Sequence, residues 1–188
     1  MKELYILEDK YMTDFSKIDE YNKDFHDNFP DWKPFVTKEN FENFLKEVEE
    51  KKQGIGNDGV KEIFYWFMEG DKIIGAGGIR LNPEVDERTK IYCGHIFYQI
   101  VPSKRKQGYG TILCHLLLKK MQELGFKEAI ITCFDTNKGS IKIIEQNSGE
   151  FIEKIYDIEE KNERFKITRR YKVNIEKSLK NFKSKRRW

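Results

Sequence analysis

The sequence predicts one α/β domain in which a mixed, mostly antiparallel central sheet is flanked by helices. Apolar runs with strand character alternate with runs of helical periodicity along residues 1 to 175. Two pairs of neighbouring strand-like runs are separated by short polar turns, as is typical of antiparallel hairpins. The chain has 188 residues, of which 38% are hydrophobic and 14% aromatic, and this is enough apolar material for one core.

The first half of the chain predicts a strand, two helices and a hairpin. Residues 4 to 8 form the first strand. The apolar positions of the two helices are Phe15, Ile18 and Phe25, and then Phe41, Phe44, Leu45 and Val48. Thr37 is the predicted N-cap of the second helix. Residues 61 to 68 and 72 to 81 are strand-like and are joined by a tight polar turn, which predicts the hairpin.

The second half begins with a predicted strand at residues 93 to 101, which Pro102 ends because proline cannot donate to a ladder. The helix that follows has its predicted buried face at Leu113, Leu116, Leu117, Met121 and Leu124. Gly125 is its predicted C-terminal cap. The remaining elements are a strand, a short helix and a hairpin, at residues 128 to 134, 137 to 149, and 150 to 158 with 164 to 175.

Charge is distributed unevenly although the formal net charge is only +3. Residues 176 to 188 carry six Lys or Arg against one Glu, whereas residues 1 to 60 carry 15 Asp or Glu against 9 Lys. We therefore expect a domain over residues 1 to 175 and, at residues 176 to 188, a basic tail or a short docked helix. The acidic first third argues against a nucleic-acid-binding face and suits a cationic partner.

Composition also predicts what the chain lacks. Cys93, Cys114 and Cys133 are odd in number and show no C-x-x-C spacing, so neither a disulfide framework nor a metal site is expected. The longest apolar run, residues 63 to 68, is far shorter than the ~20 residues of a membrane span. The N-terminus has no apolar signal segment, so we expect a cytoplasmic protein without a membrane partner.

A glycine motif, Arg105-x-x-Gly108-x-Gly110, stands between the strand ended by Pro102 and the next helix. The first backbone N–H groups of a helix have no internal partner and bind anions, provided that no Cβ blocks the approach. The motif matches neither G-x-x-x-x-G-K-[ST] nor G-x-G-x-x-G, the two common nucleotide loops. The alternative is a simple glycine turn with solvated cations.

In this context the motif resembles the acyl-CoA-binding signature of the GCN5-related N-acetyltransferase (GNAT) family, [QR]-x-x-G-x-[GA], which follows a strand end similar to Ile100-Val101-Pro102. Asn137, with Ser140 three residues later, also resembles the family pattern after the next strand. The order of elements is similar to that of the family over residues 1 to 175. Within the family, the chain most resembles a bacterial group of predicted acetyltransferases.

The resemblance implies that acetyl-CoA is the acyl donor and that no metal takes part. Its pyrophosphate would lie on the glycine loop, and the implied cofactor-binding residues are Arg105, Lys106, Gln107, Gly108, Tyr109, Gly110, Thr111, Asn137 and Ser140. Backbone N–H groups of Ile100 and Val101 would polarise the thioester carbonyl. The acceptor would be a small-molecule or peptide amine, for which a positive charge suits the acidic first third, and the protein would be a monomer or homodimer.

The side chains for acid–base catalysis depart from the family pattern. Many members carry a tyrosine, aimed at the CoA sulfur, where this chain has Ile144, and Ser140, Tyr98 or Tyr156 could replace it as proton donor. Several members hold a glutamate in the strand at residues 93 to 101, which has none here. His95, with an ordinary pKa of ~6.5, is the leading candidate for the base, and Tyr98 is second. The alternative for both residues is a purely structural role, as part of the packed sheet.

Three functions compete at this point. The first is an N-acetyltransferase that moves acetyl from acetyl-CoA to an amine by direct transfer in a ternary complex. The second is a non-catalytic acyl-CoA-binding module, which the absent tyrosine and glutamate would suit. The third is a nucleic-acid-binding protein that acts through its basic tail, which the acidic body disfavours.

Overall fold

The computed structural model describes residues 3–8, 11–12, 14–31 and 33–185. Within these ranges the strands are β1 (Leu4–Glu8), β2 (Glu62–Glu69), β3 (Lys72–Arg80), β4 (Ile96–Ile100), β5 (Glu128–Phe134), β6 (Glu150–Tyr156) and β7 (Ile167–Asn174). The helices are α1 (Phe15–Asn28), α2 (Phe41–Lys52), α3 (Tyr109–Glu123), α4 (Lys138–Gln146) and α5 (Ile175–Lys185). This order confirms the predicted fold class.

The strands form two antiparallel sheets that meet at one point. The first sheet has the order β1-β2-β3-β4 and the second the order β5-β7-β6. A single isolated bridge, between Gly94 and Ile131, joins the two sheets within the described residues. The meeting point therefore lies just before β4 and halfway along β5.

Helices cover both faces of the first sheet, which explains why β2 is an unbroken apolar run rather than an alternating one. Residues 64 to 68 are all at most 9% exposed. On one face, Tyr21 of α1 and Phe44 of α2 pack on Trp66, with ring centroids 5.5 and 6.2 Å away. On the other face, Tyr109 of α3 packs on Phe67 at 6.4 Å.

Two local predictions about helix ends were wrong. Thr37 does not cap α2; the helix begins at Phe41 after Asn40, whose side-chain oxygen accepts a hydrogen bond from Thr37 N at 2.6 Å. Leu124 is 44% exposed rather than buried, because α3 ends at Glu123. The predicted cap Gly125 does adopt the left-handed conformation, with φ of 89°.

The C-terminal segment forms a docked helix as far as Lys185, and Arg186 and Arg187 of the predicted basic tail lie outside the described residues. Leu179 of α5 is 9% exposed, and the Phe182 ring stacks on His115 of α3 with centroids 3.7 Å apart. Across the part of the chain that the structure describes, no helix is long and apolar enough to cross a membrane.

Candidate active site

The two sheets are bonded to each other at the start of β4 and separate along the rest of it. At the junction, His95 N donates to Ile130 O at 2.7 Å, and Ile130 N donates to His95 Nδ1 at 3.1 Å. Gly94 has φ of 64°, and a Cβ there would lie 2.6 Å from Ile130 O, so only glycine permits this approach. Beyond the junction, β4 pairs with β3 alone among the described strands.

The hydrogen-bond pattern of β4 identifies which backbone groups face the gap between the sheets. Val101 N donates to Ile74 O at 3.0 Å, so the Val101 amide is engaged with β3. Because antiparallel pairs alternate, the N–H groups of Tyr98 and Ile100 point the other way, along the unpaired edge of β4. The structure thus separates the two predicted amides: Ile100 N–H faces the gap, whereas Val101 N–H does not.

The glycine loop presents a run of unpartnered amides next to this edge. The backbone N–H groups of residues 106 to 110 donate to no described residue. Lys106 and Gly108 adopt left-handed conformations, with φ of 59° and 90°, as occurs in backbone nests that bind anions. Thr111, which we also predicted to bind the pyrophosphate, differs, because its N–H donates to Gly108 O at 3.0 Å. The loop therefore offers five successive amides at a helix start, which fits a pyrophosphate.

Side chains from β2 and α1 hold the loop at both ends. Glu69, at the end of β2, accepts hydrogen bonds from Lys104 Nζ and from Tyr109 Oη, both at 2.6 Å. The bond to Glu69 is the main reason that the pKa values of Lys104 and Tyr109 are both raised. Asp24 of α1 accepts from the Ser103 amide at 3.0 Å and from its hydroxyl. The loop is thus fixed to the body before any ligand binds.

Arg105 is engaged with the body of the protein rather than with the loop's open side. Its Nε donates to Ile100 O at 2.9 Å. Its guanidinium lies 5.5 Å from the ring centroid of Phe25 and 5.3 Å from that of Phe29, both on or next to α1. Arg105 therefore ties the loop to β4 and α1, and the amides carry the anion-binding geometry.

Two further predicted residues, Asn137 and Ser140, form the N-terminus of α4. Asn137 caps the helix, since its side-chain oxygen accepts from Ser140 N at 3.0 Å. Thr111 Oγ1 donates to Gln146 Oε1 at 2.8 Å and links α4 to α3. A Cβ at Gly110 would lie 2.6 Å from Ile143 Cδ1 of α4, so a larger residue here would require the Ile143 side chain to move.

Tyr98 projects from β4 toward the α3 side. Its hydroxyl is buried and has no hydrogen-bond partner within the described structure. Burial raises the pKa of Tyr98 well above its ordinary value, the nearby Cys114 thiol adds to this rise, and the Ser140 side chain partly offsets it. The hydroxyl is therefore protonated at every ordinary assay pH, so Tyr98 can donate a hydrogen bond but has no capacity to act as a base.

His95 is not brought together with Ile100. Five extended residues at ~3.3 Å each place it about 16 Å from Ile100, at the closed end of β4. Its Nδ1 accepts from Ile130 N, and its ring lies 5.9 Å from that of Phe126. Burial lowers the pKa of His95 below its ordinary value. This geometry favours the alternative that we left open, a histidine that stabilises the sheet junction.

Ile144, at the position where the resemblance implies a tyrosine in many members, has no exposed surface. Tyr156, another candidate donor, is 62% exposed on β6.

Burial raises the pKa of the Cys114 thiol to about 12 and of the Cys133 thiol to about 11, so neither is a thiolate near neutral pH. No three His, Cys, Asp or Glu side chains in the described ranges are grouped to hold a metal ion.

A cavity of about 370 Å³ lies on the opposite face of β4, against α2. Its lining includes Phe44 and Glu47 of α2, Phe64 of β2, and Phe97 and Gln99 of β4. The sequence predicted residues 61 to 68 only as a strand and did not predict this cavity. The available signal was the pair Phe97 and Gln99, which alternation places on the face opposite Tyr98.

Comparison with known proteins matches residues 18–149 to the family model described as "Acetyltransferase (GNAT) family". A comparison with curated protein sequences gives no match. Solved structures with a similar fold include spermidine N-acetyltransferase from Vibrio cholerae in complex with CoA and spermine, with 14% identity, a TM-score of 0.61, and coverage of 94% of this chain and 98% of that one.

Two structures from Salmonella typhimurium are also similar. One is an acetyltransferase that modifies the N-terminal serine of ribosomal protein L7/L12, with 14% identity, a TM-score of 0.64, and coverage of 91% of this chain and 94% of that one. The other is a putative acetyltransferase with acetyl-CoA, with 10% identity, a TM-score of 0.60, and coverage of 92% and 94%. At these identities the similarity establishes the fold.

Proposed function

The chain belongs to the GNAT family of acetyltransferases, and from this premise we propose that it transfers an acetyl group from acetyl-CoA to an amine in a ternary complex. The observation that carries the proposal is the position of the Ile100 N–H, which faces the gap between β4 and β5 beside five unpartnered loop amides. The loop would bind the pyrophosphate, and the unpaired edge of β4 would bind the arm that carries the thioester.

In the proposed reaction, the amine nitrogen forms a bond to the thioester carbonyl carbon while the carbon–sulfur bond breaks. Ile100 N–H donates to the carbonyl oxygen as negative charge develops on it. Tyr98, kept protonated by burial, donates its proton to the leaving sulfur, with the Ser140 hydroxyl beside it. Tyr98 thus takes the role that the sequence pattern leaves empty at Ile144.

The attacking amine reaches β4 through the cavity on the α2 side and must lose a proton. Two carboxylates, Glu47 and Glu62, line this cavity. Glu62 is ion-paired with Arg80 at 3.1 Å, whereas Glu47 has no ion pair with a described residue. We assign the proton lost before attack to Glu47, through water in the cavity. The second amine proton, lost as the amide forms, replaces the proton that Tyr98 has given to the sulfur. His95, on the far end of β4, has no part in this step.

The alternative remains a non-catalytic acyl-CoA-binding module, which Ile144 supports. Release of free thiol from acetyl-CoA on addition of amines, with mass spectrometry of the product, distinguishes the two. We expect acetylation of butylamine to exceed that of 4-aminobutyrate, which matches it in length but has no net charge. Acetyl-CoA binding without thiol release for any amine would support the module instead.

The same pair of acceptors tests whether a cationic amine is preferred for electrostatic reasons. The acidic first third of the chain raises the local concentration of cations, and the Debye length is only about 8 Å at ~0.15 M salt. We expect kcat/KM for butylamine to fall as salt increases while that for 4-aminobutyrate changes little. An equal salt dependence of kcat/KM for the two amines would show that long-range attraction does not determine the preference.

A further inference from the structure

The cavity on the α2 side of β4 has an aromatic wall of four phenylalanine rings. Centroids of Phe97 and Phe64 are 6.4 Å apart, those of Phe64 and Phe44 are 5.6 Å apart, and those of Phe44 and Phe35 are 5.9 Å apart. Centroids of Phe35 and Phe64 are also 5.9 Å apart, so Phe35, Phe44 and Phe64 form a triangle next to Phe97 of β4. Phe35 is 38% exposed. Such a wall binds flat apolar groups through buried area and ring contacts. It is called the phenylalanine wall below.

The charges around the cavity cancel. Glu47 and Lys51 lie one turn apart on α2, and both line the cavity. Glu62 is paired with Arg80, whose guanidinium lies 4.8 Å from the centroid of the Phe97 ring. A ligand with several ammonium groups would need an unpaired carboxylate for each charge that it brings out of water. The cavity thus suits one ammonium group better than a polycation.

The polar end of the cavity is at β4. Gln99 Nε2 donates to the Tyr21 hydroxyl at 2.5 Å, which fixes the side chain. Its Oε1 accepts no hydrogen bond from any described side chain or amide, and Gln99 directly precedes Ile100. An amine N–H that reaches this end can therefore donate to Gln99 Oε1 near the Ile100 edge.

We propose that the acceptor is a monoamine with an aromatic or similarly flat apolar body, which packs on the phenylalanine wall while its amine lies at Gln99. The volume of about 370 Å³ is near the lower end of the ~300–1,000 Å³ range of small-molecule sites, so the body is about one ring with a short linker. This inference rests on the proposed function, because it assumes that the cavity delivers the amine to Ile100.

The test compares kcat/KM of the full chain for 2-phenylethylamine, butylamine and spermidine at saturating acetyl-CoA. We expect 2-phenylethylamine to exceed both others by about tenfold or more, the usual value of one well-filled apolar subsite. Phe97→Leu keeps an apolar side chain but removes a ring from the wall, and it should reduce this preference several-fold. Phe151→Leu, which removes a 51% exposed ring on β6, is the control and should leave the preference unchanged.

Calorimetry of 2-phenylethylamine in the presence of CoA separates this inference from the proposed function. Binding that Phe97→Leu weakens, without any acetylated product, would uphold the ligand class and overturn acetyl transfer. Equal kcat/KM values, or a preference for spermidine, would overturn the ligand class and leave acetyl transfer intact. Failure of the protein to bind 2-phenylethylamine would also overturn the proposed ligand class.

Discussion

The two ends of β4 differ in whether their backbone groups are hydrogen-bonded to the second sheet. At Gly94 and His95, the chain is bonded to β5 by backbone and side chain, and this junction joins the two sheets. At Tyr98 and Ile100, the edge of the strand has no partner strand. Backbone polar groups are normally paired, so the N–H groups without a described partner at this edge and in the loop beside it form the proposed ligand site. The proposed site thus consists mainly of backbone N–H groups that are not paired with a neighbouring strand.

The largest expected effect comes from removing the N–H at the open end. Ile100→Pro should lower kcat about 100-fold, the value of one carbonyl-polarising donor, with little change in acetyl-CoA affinity. Stopped assays of thiol release and calorimetry measure the two quantities.

Val101→Pro is the matched control, because Val101 has φ of −54°, which proline adopts, and its N–H bonds to Ile74 O. It should lower the free energy of unfolding by about 1 kcal/mol and affect kcat less. A folded Ile100→Pro variant with the wild-type kcat would show that the gap does not hold the thioester.

The next largest effect concerns the loop beside the open end. Gly108→Val places a β-branched residue at φ of 90° and should weaken acetyl-CoA binding at least tenfold, or about 1.4 kcal/mol. Gly125→Val is the control, because Gly125 has φ of 89° at the other end of α3. Both variants should lose stability, but calorimetry should show weaker binding for Gly108→Val alone. Equal affinities would refute the assignment of the loop.

A smaller effect is expected at Tyr98, whose side chain lies on the α3 side of β4. Tyr98→Phe removes the proposed proton donor and should lower kcat several-fold to tenfold with KM for the amine nearly unchanged. Because burial raises the pKa of Tyr98, the wild-type kcat should not fall at high pH through loss of this proton below about pH 10. Tyr156→Phe, on the exposed strand β6, should have the wild-type kcat. Equal kcat values for Tyr98→Phe and Tyr156→Phe would show that Tyr98 does not protonate the leaving thiolate.

The smallest effect on turnover is expected at the closed end. His95→Ala should lower stability but leave the pH profile of kcat/KM unchanged. The lowered pKa of His95 means that the unfolded chain binds more protons between the folded pKa and ~6.5, so wild-type stability should decrease as pH falls through this window. The variant should lose that slope in denaturant titrations at pH 5 and pH 8. A changed pH profile of activity would return His95 to the role of base.

Local chemistry determined several features that the structure bears out. The element order, the hairpin of β2 and β3, the end of β4 at Pro102 and the left-handed Gly125 all follow from residues close in sequence. The position of the glycine loop could also be predicted from neighbouring residues, because the left-handed Gly108 directly precedes the first residue of α3. Thr37 and Leu124 were exceptions, since α2 begins only at Phe41, with Asn40 at its N-cap position, and α3 ends one residue before Leu124.

Tertiary structure alone decided which groups face the site. The sequence by itself led to the GNAT family and the loop, but it could not distinguish the amide of Ile100 from that of Val101, because this depends on the register of β4 against β3. It could not place His95 at the closed end, since the bond to Ile130 joins residues 35 positions apart. The phenylalanine wall likewise combines the segment before α2 with α2, β2 and β4. Periodicity reports which face of an element a residue occupies, whereas contacts between distant elements depend on how those faces are assembled.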